Sequence, residues 1–136
     1  MPTLFSRIIS GEIPSYKITE DQDFFAFLDI NPLVKGHTLV VPKTETDELF
    51  DLSPEVLGKL LVFARPIAHA LKNAFEVQRC GLSVMGFEVP HAHLHLLPIN
   101  SEIEMNFSRP KLYFSPQEFL EIRNQIHNHL PGGTDF

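Results

Sequence analysis

Residues 89–98 read VPHAHLHLLP, with His91, His93 and His95 at every second position and Ala92, Leu94 and Leu96 between and after them. A period of two belongs to a β-strand, where successive side chains leave opposite faces of the sheet. The segment therefore predicts a strand with one apolar face that a helix must cover. Its other face carries three imidazoles. Whatever else the chain does, its fold has to cover Ala92, Leu94 and Leu96 and find a use for the histidine side.

The remaining stretches supply the sheet and its cover. YKITED (16–21) and DFFAFLDI (23–30) read as two strands joined by a charged turn, and GHTLVVP (36–42) as a third, rich in β-branched residues. CGLSVMG (80–86) reads as a fourth, before the histidine strand. Between them, apolar residues at 57, 60, 61, 64, 67, 68 and 71 keep helical spacing over residues 53–75, with Ser53 as N-cap and Pro54 at the first helical position. Pro66 falls inside this pattern and predicts a kink or one lost hydrogen bond. A short helix near residues 3–10 stops at Gly11, and a C-terminal helix opens on a Ser115–Glu118 capping box and stops before Gly132–Gly133. The fold class is α+β, with about five strands of mostly antiparallel sheet, one long helix and a C-terminal helix.

At 136 residues the chain forms one domain, 1–136, long enough to bury a core. A net charge of −6 with scattered basic residues excludes electrostatic capture of nucleic acid or of an anionic membrane surface. No run is apolar enough to span a bilayer. The single cysteine, Cys80, excludes an internal disulfide framework and fits a reducing compartment, so the expected location is cytoplasmic.

Three readings of the histidine face stand beside one another. Ordinary core histidines would each need a separate buried partner, which three in strict alternation make hard to supply. A metal site is open to them, because neutral imidazole is a common zinc ligand. Phosphoryl chemistry is the third: imidazole, with an unperturbed pKa of ~6.5, is a nucleophile near neutral pH, and neighbouring rings can orient it and move protons.

HAHLHLL matches His-φ-His-φ-His-φ-φ, with φ hydrophobic, at all seven positions, and in this the chain resembles the histidine triad (HIT) family of nucleotide hydrolases and transferases. The likeness extends over GEIPSYKITEDQDFFAFLDINPLVKGHTLVVPK (11–43) and LFDLSPE, giving a family core at 3–100 and a C-terminal extension with its helix at 101–136. The resemblance implies a HIT-like fold and makes His93 the nucleophile of a nucleotidyl-histidine intermediate. It gives His91 the task of orienting that nucleophile and assisting proton movement, and it places His95 on the phosphate. His37 becomes a fourth active-site histidine, Asp29 the carboxylate that accepts both ribose hydroxyls, and Phe5, Ile8, Ile13, Phe27 and Ile30 the pocket around the base. Read from the residues alone, Asp29 also serves as a turn residue, Phe27 and Ile30 as core, and His37 as a structural histidine. The loop GFEVP offers the amides of Phe87, Glu88 and Val89 to phosphate oxygens.

Departures from the family pattern are informative. Thr3, Ser6 and Glu45 stand where many bacterial members carry zinc ligands, so no metal and no cofactor is expected. Phe87 replaces a glutamine and Cys80 an asparagine. The short chain most resembles the Hint-type phosphoramidases. The expected enzyme hydrolyses nucleoside 5′-phosphoramidates or related nucleoside monophosphate esters. Its partner is a purine-nucleotide-type small molecule, and its helix, apolar on more than one face through Leu60–Phe63, implies a homodimer. A dinucleoside polyphosphate hydrolase and a nucleotide-binding module with little turnover are the alternatives.

Overall fold

The expected strands form as Lys17–Glu20 (β1), Phe24–Leu28 (β2), Thr38–Pro42 (β3), Arg79–Ser83 (β4) and Leu94–Ile99 (β5). They make one sheet in the order β1-β2-β3-β5-β4, and every neighbouring pair is antiparallel. The helices are Leu4–Ile9 (α1), Pro54–Ala74 (α2) and Pro116–His127 (α3). The computed structural model describes residues 2–131, and Gly132–Gly133 lie outside them.

Alternation along the strands sorts the core into two layers. Phe24, Ala26, Leu28, Val40, Ala92, Leu94 and Leu96 meet Leu60, Ala64, Ile67 and Leu71 of α2 and Phe119, Ile122 and Ile126 of α3. On the opposite face Phe25, Phe27, Leu39 and Val41 pack under Phe5 and Ile8 of α1. The central strands are thus buried on both sides, which explains why DFFAFLDI and GHTLVVP lack polar residues in alternation. Among the described residues no helix is long and apolar enough to cross a membrane.

Local signals set the helix ends. Ser53 accepts from the Val56 amide, and α3 opens on a capping box in which Ser115 and Glu118 each bond the other's amide. Pro66 leaves α2 unbroken to Ala74. Its missing N–H costs one bond to the carbonyl of residue 62, and Val62 is on the exposed side of the helix.

The histidine strand differs from its expected start at residue 91. β5 begins at Leu94, so only His95 is in the ladder, opposite Leu39 of β3. The reason is a competing bond: the Pro42 carbonyl at the end of β3 accepts from the His91 ring, 2.8 Å away. The Ala92 amide donates instead to Thr46 in the following loop, at 2.7 Å. The two-sided separation survives: Ala92, Leu94 and Leu96 join the core under α2, while His93 and His95 line the opposite face.

Gly36, just before His37, adopts φ 92°, and a Cβ there would stand 2.5 Å from the Phe75 ring. Left-handed strain and overpacking combine, so Gly36→Ala is expected to cost roughly 2–4 kcal/mol in urea denaturation. A midpoint equal to wild type would show that the loop leading into β3 tolerates rearrangement.

Candidate active site

A cleft of about 360 Å³ opens on the α1 side of the sheet. Its floor is the row Phe27, Leu39 and His95 on three adjacent strands. Phe5, Ile8 and Ile13 form one wall, and Asp29, Ile30 and His37 another. The loop residues Phe87, Glu88 and Val89 and the ring of His93 complete it. Phe5 and Ile8 are buried, whereas Ile30 and Phe87, at 64% and 95% exposure, stand at the rim. The amides of Phe87, Glu88 and Val89 have no acceptor among the described residues.

His91 is the one expected site residue outside the cleft. Its ring is fully buried behind the site, held by Thr3 at 2.7 Å and by the Pro42 carbonyl. What reaches His93 is the His91 backbone: its carbonyl accepts from His93 Nδ1 at 2.7 Å. A carbonyl can only accept, so the His93 proton resides on Nδ1 and the lone pair on Nε2.

A second chain of bonds fixes the other rings. The Leu33 amide donates to His37 Nδ1 at 3.1 Å, which leaves the His37 proton on Nε2. His37 Nε2 then donates to His95 Nδ1 at 3.0 Å. His95 consequently carries its proton on Nε2. Its ring centroid is 4.9 Å from that of His93, so a nucleophilic lone pair and an N–H donor stand side by side.

Burial keeps these rings neutral. Desolvation, aided by each ring's neighbours, lowers His37 to about 3 and His95 to about 4, and burial also lowers His93. Asp29 moves the other way, to about 6, because desolvation outweighs the bond its carboxylate accepts from the Asn31 amide at 2.8 Å. Asp29 Oδ2 is 3.6 Å from His37 Nε2, and with His37 neutral this is no ion pair.

Asp29, His37 and His95 bring ligand-type atoms within 4.8 Å of one another. Their proton inventory opposes a cation. With Leu33 donating to Nδ1, His37 needs its proton on Nε2, the nitrogen that would have to bind the metal.

Among the lining residues that escape the sequence reading are Phe107 and Lys111. Phe107 sets its ring edge against His95 and His37, at 4.9 and 5.9 Å, and Lys111 donates to the Phe107 carbonyl at 2.8 Å. They come from the segment between β5 and α3, which has no periodicity and contains only a short turn of 3₁₀ helix. The one local signal is an aromatic and a lysine between turn residues, and that is unspecific.

The HIT domain model matches residues 10–102. The chain belongs to the HIT family. An uncharacterized HIT-like protein of Borreliella burgdorferi is 36% identical, covering 93% of this chain and 97% of its own. An adenosine 5′-monophosphoramidase of Schizosaccharomyces pombe is 32% identical over 96% of this chain and 99% of its own. The crystal structure of a Hit-like protein from Bartonella henselae aligns with TM-score 0.81 and 29% identity over 94% and 96% of the two chains. In HIT terms the three alternating histidines are the triad, and the triad's first member serves the cleft here through its backbone.

The raised pKa of Asp29 has a stability consequence with a definite sign. A carboxyl raised to about 6 from 3.8 favours the fold below 3.8 and loses that contribution as pH rises through 6. Without ligand, Asp29→Asn should therefore stabilise the protein by roughly 1–3 kcal/mol at pH 8. The gain should shrink as pH falls below 6. Denaturant melts at several pH values check this, and a destabilised variant at pH 8 would show that the carboxylate is not desolvated.

Proposed function

We propose that the protein is a nucleotide hydrolase that cleaves nucleoside 5′-phosphoramidates, or related nucleoside monophosphate esters, at the α-phosphate. The observation that carries this reading is the bond from His93 Nδ1 to the His91 carbonyl, which leaves a neutral, lone-pair-bearing Nε2 in the cleft. His93 Nε2 attacks phosphorus and the P–N bond to the leaving amine breaks, the amine taking up a proton from solvent while the His95 Nε2–H donates a hydrogen bond to it. Water then attacks the nucleotidyl-His93, loses its proton to solvent and releases the nucleoside monophosphate, restoring neutral His93. The amides of residues 87–89 receive the phosphate oxygens. Asp29, ionised at neutral pH, accepts the two ribose hydroxyls, and Phe5, Ile8, Ile13, Phe27 and Ile30 hold a purine-type base. The phosphoramidase activity in the name of the Schizosaccharomyces pombe relative supports this choice. No metal or cofactor takes part.

One observation favours a second reading. Lys111 is the only ammonium among the described cleft-lining residues, and it suits a charged nucleotide as leaving group, as in a dinucleoside polyphosphate. Rates on a fluorogenic phosphoramidate and on a dinucleoside polyphosphate separate the two, and binding without product would leave a nucleotide-binding module. His93→Ala should lose several orders of magnitude in turnover while retaining nucleotide affinity in calorimetry. Intact mass spectrometry should find one nucleoside monophosphate on wild type and none on the variant. A variant that keeps most of its rate would overturn the covalent mechanism.

The reading includes a two-fold homodimer. Leu61 and Val62 on α2 are 52% and 71% exposed, and Leu82 on the edge strand β4 is 48% exposed. A helix that covers one sheet needs a single apolar stripe, and these residues fall outside it. Light scattering should give twice 15.5 kDa, and Val62→Glu should lower that mass. A monomer at micromolar concentration would count against the dimer.

A further inference from the structure

Behind the triad, away from the cleft, four side chains from distant parts of the chain are joined by hydrogen bonds. Glu45 Oε1 accepts from the Thr3 amide at 2.5 Å and from the Ser6 hydroxyl at 2.8 Å. Thr3 Oγ1 accepts from the Ser6 amide at 3.1 Å as the cap of α1, and is 2.7 Å from His91 Nδ1. His91 Nε2 donates to the Pro42 carbonyl, so its Nδ1 is an acceptor and the Thr3 hydroxyl is the donor. The His91 amide donates to the Val89 carbonyl at 2.8 Å. His91 is therefore gripped at both ring nitrogens and at its amide, and the group left over is the carbonyl that orients His93.

We infer that Thr3, Ser6 and Glu45 are positioning residues for the His93 nucleophile, acting through the His91 ring to fix the direction of the His91 carbonyl. None of the three lines the cleft.

The inference rests on His93 being the nucleophile, and its test separates the two claims. Thr3→Val keeps the shape of the side chain and removes the hydroxyl. A misaimed nucleophile should lower kcat about ten- to a hundredfold, while any loosening of α1 by the lost cap, which carries Phe5 and Ile8, shows separately as a rise in KM. Thr3→Ser should recover most of the loss, and Glu45→Ala should fall between the two. Nitrogen-15 NMR of the histidine rings provides a readout that does not require turnover. Wild type should show His93 as the pure Nδ1–H tautomer and Thr3→Val a mixture. If Thr3→Val proves unstable, the Thr3→Ser and Glu45→Ala pair decides on the same two readouts. Unchanged kcat in Thr3→Val, or a fall in kcat with the His93 tautomer unaltered, overturns the positioning role. A wild type with no turnover but the stated tautomer shift would remove the nucleophile reading and leave the positioning network standing.

Discussion

The 2.7 Å bond from His93 Nδ1 to the carbonyl of His91 decides which nitrogen of the central histidine holds the electron pair. Imidazole tautomers differ little in energy in water, so an exposed His93 would present the wrong atom much of the time. Here the choice is made by a backbone carbonyl, which does not titrate. The parallel chain from the Leu33 amide through His37 to His95 works in the same way, with a backbone donor at its origin. Lone pair and proton are thus assigned to neighbouring rings by peptide groups in the segments that lead into β3 and β5.

This arrangement carries opposing costs. Burial that keeps His37, His93 and His95 free of a second proton also penalises the charge on Asp29. One buried environment therefore keeps the His93 lone pair free of a proton and leaves a carboxylate short of hydrogen bonds. A diol entering the cleft would supply what the carboxylate lacks, which is how a site unfavourable to the empty fold becomes favourable to a ligand.

The sheet and the cleft were legible in the sequence to different depths. Two-residue alternation around His91–Leu96 placed rings and apolar residues on opposite faces, and Ser53-Pro54 and Ser115–Glu118 marked helix starts, because these signals are local. The start of β5 was misread by three residues, since a side-chain bond to Pro42 outcompetes the ladder and no pattern in residues 91–93 announces it. The recessed position of His91 was invisible for the same reason. Leu33, Phe107 and Lys111 belong to irregular segments, where spatial neighbours are set by the path of the chain and not by a repeat. Thr3, Ser6 and Glu45 were singled out through the family resemblance as positions that had lost metal ligands. Their hydrogen bonds to one another and to His91 needed coordinates.

Thr3 and His91 are 88 residues apart in sequence and touch directly, while Phe107 closes over the rings from beyond β5. Contacts of such separation close long loops, and the entropy of that closure slows folding. The helices and the β2–β3 hairpin can assemble early from near neighbours, but the cleft exists only once both remote segments have docked. During synthesis, a ribosome-bound chain lacking residues beyond 100 would hold its histidines in a half-built and wetter site. The cleft and the closed core therefore depend on the same long-range contacts.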